Sequence, residues 1–172
     1  MRNFFSFLSR FSDKKIICFD GGGVRTIASI VFLKKLETES GKKVSDIFDM
    51  FIGTSAGSFK AACFAYGGYS ADKVTRYWSK KYLDKIMQSS FFWDKASLIK
   101  ARPRYESEGR IELLNEIFGE STLKDSIKPF LSLAYNIETR EHVVHDSINT
   151  PEITFKDAVA ASSAAPMYFP TY

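Results

Sequence analysis

The chain has 172 residues, 45% apolar and 26% charged, which suits one globular domain with a sizeable core and excludes a disordered or low-complexity polypeptide. Its formal charge of +4 comes largely from the pairs Lys14-Lys15, Lys34-Lys35, Lys42-Lys43 and Lys80-Lys81, read as solvated helix ends and loops, with attraction to an anionic membrane surface as the functional alternative. No basic stretch has the aromatic interleaving of an RNA-binding sheet and no Cys/His spacing suits a finger, which excludes nucleic acid as the partner.

Residues 1–14 read as an N-terminal amphipathic extension. Phe4, Phe7, Leu8 and Phe11 form a helical stripe opposite Arg2, Ser6, Ser9, Arg10 and Asp13. That pattern fits an interfacial helix in a head-group layer, or a helix packed on its own domain. Its apolar residues are interrupted by Ser and Arg, unlike a secretory signal. Residues 15–172 read as one α/β domain with no internal repeat or dividing linker. Ile16-Ile17-Cys18-Phe19 is expected to be a buried strand leading into the loop Asp20-Gly21-Gly22-Gly23-Val24-Arg25. Ile27, Ile30, Val31, Leu33 and Leu36 recur at helical spacing until Gly41 stops the helix. Val44 to Phe48 is a short turn. Met50-Phe51-Ile52 is a second strand, ending at Gly53-Thr54-Ser55-Ala56-Gly57, and a helix of small residues from Ser58 to Tyr66 follows, closed by Gly67-Gly68.

Ser70 is the expected N-cap of one helix from Ala71 to about Met87, with Val74, Trp78 and Tyr82 along a face. Phe91-Phe92-Trp93 with Lys95, Lys100, Arg102 and Arg104 mixes aromatic and basic residues, as a membrane-dipping loop does. A cap over a ligand or plain core packing is the favoured reading there. A helix spans Glu108 to Phe118 and stops at Gly119, and Thr122 to Asp125 is a connector. Pro129 to Asn136 reads as a buried strand, Glu141 to Asp146 as its hairpin partner, and Phe155 to Ala161 as a helix, before Pro166 and Pro170 end regular structure. The two cysteines, Cys18 and Cys63, offer no disulfide framework and read as core thiols of a reducing compartment. No apolar run approaches the length of a span, so the expected location is cytoplasmic or peripheral to a membrane, with export without a signal peptide left open.

A serine between glycines at a strand-to-helix junction has the form of a nucleophile elbow, with the positive end of the next helix beneath it. Ser55 is therefore the candidate nucleophile, with Gly53, Ala56 and Gly57 shaping its turn. Gly21, Gly22 and Gly23 leave backbone N–H groups bare of side chains, suited to one anionic oxygen. The order strand, glycine loop, helix, strand, serine turn is one right-handed crossover. It brings both loops to the carboxyl ends of neighbouring parallel strands. A serine needs a base. His142 and His145, three apart in a strand, point to opposite faces, so they share no metal, and each reads first as a surface or strand-pairing residue. Nucleotide binding through the three glycines would need Gly or Ala at Thr26 and an acidic residue at Thr54.

Asp20-Gly-Gly-Gly-Val-Arg25, Gly53-Thr-Ser-Ala-Gly57 and Ala161-Ser-Ser-Ala-Ala-Pro166-Met-Tyr-Phe-Pro170 together resemble the patatin-like phospholipases, lipid acyl hydrolases, from about Lys15 to Pro170. The resemblance implies a three-layer fold with a mainly parallel central sheet flanked by helices, and no cofactor or metal. It implies a Ser-Asp dyad with Ser55 as nucleophile and Gly21, Gly22 and Gly23 as the oxyanion hole. Asp20 and Arg25 would support the loop, or Arg25 would sit near a lipid phosphate. The family's aspartate lies in an Asp-Gly-Gly or Asp-Gly-Ala motif shortly after the block that ends at Pro170. This sequence ends at Tyr172, so the domain is expected to be incomplete at its C-terminus, one side of its sheet is expected to be uncovered, and activity of the chain by itself is uncertain. The implied partners are a phospholipid or other acyl lipid, a transient membrane surface and an unknown activating protein. Alternatives are an acyltransferase that passes the acyl group to an alcohol, and a lipid-binding module without catalysis.

Overall fold

A computed structural model describes residues 13–89 and 103–172. The aromatic stripe from Phe4 to Phe11 and the Phe91-Phe92-Trp93 stretch lie outside them. Four strands, β1 (Ile16–Phe19), β2 (Met50–Thr54), β3 (Phe130–Asn136) and β4 (Glu141–Asp146), form one sheet in the order β1-β2-β3-β4. The first three run parallel and β4 returns antiparallel to β3 as a hairpin. Seven α-helices surround it among the described residues: α1 (Ile27–Ser40), α2 (Val44–Ile47), α3 (Ala56–Gly67), α4 (Ala71–Arg76), α5 (Lys80–Ile86), α6 (Glu108–Phe118) and α7 (Phe155–Ser163). This is the α/β, mainly parallel architecture that the order of elements implies.

Strand alternation decides where the core lies. Register places Ile17 beside Phe51 and Phe51 beside Phe130, and likewise Phe19, Gly53 and Ser132 in a row. On that face α3 and α7 pack: Phe64 stacks on Phe19 at 5.9 Å and on Phe51 at 5.8 Å, and Phe155 meets Phe130 at 5.2 Å. Each ring so buried contributes about 2–3 kcal/mol of transfer free energy. Small residues let α3 approach closely, with Ala61, Ala62 and Ala65 fully buried.

The alternate face is open. β1 and β3 read as buried strands, yet Ile16, Cys18, Leu133 and Tyr135 are exposed, as is Val144 of β4. β1 is an edge strand, and only the half of its residues that faces α3 is covered. Cys18 is therefore no core thiol, whereas Cys63 is. Val31 of α1 is likewise exposed, with Ile30 and Leu33 carrying that helix's contacts. The single helix expected from Ala71 to Met87 is two. Ser70 caps α4 by accepting the Lys73 amide, but Ser79 takes extended dihedrals and starts α5 afresh. Just before the break, adjacent Tyr77 and Trp78 both pack on Phe59, at 5.5 and 5.8 Å.

Candidate active site

Ser55 joins β2 to α3 with φ 57° and ψ −126°, a region that costs an L-residue roughly 1–3 kcal/mol and persists only where its surroundings impose it. The surroundings are visible. A Cβ on Gly53 would lie 2.3 Å from the Gly57 carbonyl oxygen, and one on Gly57 would lie 2.1 Å from that of Phe19. The turn is folded onto itself and pressed against the end of β1, so both glycines are required by contact. From behind, the Ser55 amide donates to Ser162 Oγ at 2.9 Å, and Ser162 Oγ donates to the Leu133 carbonyl at 2.5 Å. One hydroxyl at the end of α7 thus ties the elbow to β3. Ser58 and Ser132 share a buried hydrogen bond at 2.7 Å below it.

The glycine loop stands beside this turn. A Cβ on Gly21 would be 3.2 Å from Ser55 Cβ, so the two loops that the sequence singles out meet at one place. Among the described residues, the N–H groups of Gly21, Gly22, Gly23 and Ala56 donate to no backbone carbonyl. The Ser55 N–H is taken by Ser162. The loop runs into a 3-10 turn, Gly23–Thr26, held by Thr26 Oγ1 donating to the Gly23 carbonyl at 2.8 Å.

Lys60 supports that turn from below. It is 1% exposed, its Nζ donates to Ser29 Oγ at 2.7 Å and to the Thr26 carbonyl at 3.3 Å, and it lies 5.0 Å from the centre of the Phe19 ring. Burial brings its pKa down to about 8, with Asp20 opposing the shift. Asp20 and Arg25 border a small cavity of about 270 Å³ together with Lys60. Arg25 is exposed and makes no side-chain hydrogen bond among the described residues, so the bonds that hold the loop come from Thr26 and Lys60.

In front of Ser55 and Gly21 to Gly23 opens a cavity of about 910 Å³. Its walls are mostly apolar: Phe59, Trp78, Leu83, Ile86, Leu113 and Val159 are among them. The described residues that line it include two cations, Arg25 and Arg110, and no Asp, Glu or His. His142 packs edge-on against Tyr135. His145 is paired in register with Ser132, burial lowers its pKa, and neither histidine lines the cavity. Asp157 is engaged at the start of α7 with Thr154 and Tyr172. No group of three or more His, Cys, Asp or Glu side chains could hold a metal ion among the described residues.

Three residues gain a place here that motif reading alone did not give them: Ser162, Lys60 and Arg110. Ser162 sits inside the Ala161 to Pro170 block, where nothing in the sequence tells a cap from a contact. Lys60 had a signal, a lone cation within the otherwise small and apolar run of α3. So had Arg110, which precedes Leu113 and Leu114 by three and four positions and therefore shares their buried face.

Residues 17–172 match the family model described as patatin-like phospholipase. The chain is 28% identical over 176 residues to patatin-like protein 4 of Arabidopsis thaliana, covering 91% of this chain and 44% of that protein. It is 28% identical to a cGAMP-activated phospholipase of Escherichia coli, covering 90% and 47%. It is also 28% identical to the 85/88 kDa calcium-independent phospholipase A2 of Rattus norvegicus, covering 94% and 22%. Among solved structures, full-length ExoU in complex with SpcU, from the type III secretion system of Pseudomonas aeruginosa, superposes with a TM-score of 0.57 at 17% identity, covering 91% of this chain and 39% of that one. The chain thus spans less than half the length of each of these relatives.

Proposed function

This chain belongs to the patatin-like phospholipase family, and we propose that it carries the nucleophile, oxyanion site and acyl pocket of a lipid acyl hydrolase. The reading rests on one observation: Ser55 stands in a strained turn against Gly21, in the wall of an apolar cavity. Ser55 Oγ attacks the carbonyl carbon of an acyl ester, and its proton passes to a general base. The oxygen of the tetrahedral intermediate takes hydrogen bonds from the uncommitted N–H groups of Gly21, Gly22 and Gly23, with Ala56 N–H beside them. One such donor is worth roughly 3 kcal/mol in the transition state. The acyl chain lies along Phe59, Trp78, Leu83 and Ile86. Collapse of the intermediate expels the alcohol, and water then releases the fatty acid.

The base is an aspartate of a Ser-Asp dyad, which the family resemblance implies. It is not among the described residues lining the cavity. That lining also favours a second reading, a module that binds lipid without cleaving it. No helix among the described residues is long and apolar enough to cross a membrane, and contact with the lipid surface is proposed to be peripheral and transient. The test is fatty acid release from phosphatidylcholine in mixed micelles by the full-length protein and its S55A variant. A loss of at least ~10³-fold in the variant supports the hydrolase. Vesicle binding without release by the wild type supports the binding module, and transfer to an added alcohol in preference to water supports an acyltransferase.

A further inference from the structure

Arg110, near the start of α6, is only 5% exposed and stands in the wall of the same cavity as Ser55. Its Nη1 donates to the Ala160 carbonyl at 3.0 Å and to Ser163 Oγ at 2.9 Å, which fastens α6 to the end of α7. Its Nε and Nη2 are buried with no hydrogen-bond partner among the described residues. Those two nitrogens form one edge of the planar guanidinium, the edge whose parallel N–H bonds fit the two oxygens of a phosphate or carboxylate. A buried charge without a matching anion is costly, and such groups are ordinarily paired. Among the described residues the Phe169 ring lies 4.7 Å from the guanidinium carbon and Tyr172 interacts with its charge, while Leu113, Leu114 and Val159 line the same cavity. The ring face eases the charge and offers no acceptor. Burial brings the pKa to about 10, which leaves the group a cation at neutral pH.

We propose that the Nε–Nη2 edge of Arg110 is an anion subsite of this cavity, binding a two-oxygen anion borne by the acyl lipid: the phosphodiester of a substrate or the carboxylate of a released acid. The inference rests on the hydrolase reading only for the identity of the lipid. Placement supports it. Ser162 holds the Ser55 amide and Ser163, the next residue, holds Arg110. Through the two hydrogen bonds, one Cα step of ~3.8 Å and the lengths of the side chains, the free edge lies no more than about 20 Å from the Ser55 hydroxyl. A lysine in place of Arg110 would supply charge without the fork.

The test needs no turnover. Dodecyl phosphate, dodecanoate and dodecanol are titrated by calorimetry into the full-length protein and its R110Q and R110K variants, with tryptophan fluorescence as a second readout. The wild type is expected to prefer at least one anion over dodecanol by tenfold or more. Preference for dodecyl phosphate identifies the substrate's phosphodiester as the source, and preference for dodecanoate identifies the product. R110Q is expected to abolish the preference, and R110K to reduce it while keeping part of it. An unchanged preference in R110Q, or in R110K should R110Q fail to fold, overturns the proposal. So does an equal weakening of all three ligands, the result of a purely bracing role. S55A is expected to keep the anion preference, so absence of hydrolysis and absence of the subsite are separate outcomes.

Discussion

The amide of Ser55 donates to Ser162 Oγ at 2.9 Å, across 107 positions of sequence. The same hydroxyl donates to the Leu133 carbonyl, so it serves as acceptor to the elbow and donor to β3. A buried N–H deprived of its acceptor costs roughly 1–3 kcal/mol, and here the loss falls on the residue held at positive φ. Ser162→Ala is expected to leave the protein folded and to lower kcat by about 10-fold or more, with KM for a short ester nearly unchanged. Steady-state kinetics with a chromogenic ester checks this, and a variant as fast as the wild type would show that the bond does not position the nucleophile.

The two elbow glycines permit a sharper forecast. Any Cβ at Gly57 meets the Phe19 carbonyl at 2.1 Å, and any at Gly53 meets Gly57 at 2.3 Å. Both obstacles are backbone, and backbone cannot rotate aside. Gly57→Ala is expected to destabilise the fold by at least about 3 kcal/mol, in the upper range for single substitutions. The urea unfolding midpoint measures it, and a shift below that would mean β1 and the turn separate more easily than their contact suggests.

Lys60 gives stability a pH dependence whose sign follows from its environment. The folded value of about 8 lies below the ordinary 10.5. Below pH 8 both states hold the proton, and the cost of burying the charge is fully present. Between pH 8 and 10.5 the unfolded chain binds more protons here, so this residue's contribution to stability improves as pH rises. Melting temperatures of the wild type and Lys60→Met, compared across that window, are expected to shift in the wild type's favour with rising pH. A pH-independent difference would contradict a buried charge beneath the glycine loop.

The two thiols should separate cleanly. Cys18 is exposed on the edge strand, whereas Cys63 is fully buried and desolvation pushes its pKa up. Thiolate is the reactive form. Ellman's reagent is expected to titrate one thiol rapidly in the native protein and two after denaturation. Two rapid equivalents would place Cys63 in a helix that opens readily.

Much of this was legible in the sequence because its signals were local. Gly41, Ser70 and Gly119 stop or start helices where their own backbone preferences require it. The strand-loop-helix order set the parallel core of the sheet, and the closeness in sequence of β3 and β4 their antiparallel hairpin. Exposure was less legible. Ile16, Cys18 and Leu133 belong to apolar runs, and an apolar run does not say which of its two faces another layer covers. The break at Ser79 was hidden for a related reason, since Val74, Trp78 and Tyr82 keep helical spacing through it and the packing of two aromatics on Phe59 is tertiary. The elbow and the glycine loop could be read as motifs. Ser162 could not be assigned its task, because the atom it serves is 107 residues away.

Mass spectrometry after incubation of the full-length protein with a long-chain alkyl fluorophosphonate tests the role of Ser55 most directly. A single covalent adduct on the peptide carrying Gly53-Thr54-Ser55-Ala56-Gly57, absent from S55A and suppressed by a bound acyl lipid, is the expected result. No adduct under conditions where vesicles still bind, or an adduct on another serine, would contradict a nucleophile at the elbow.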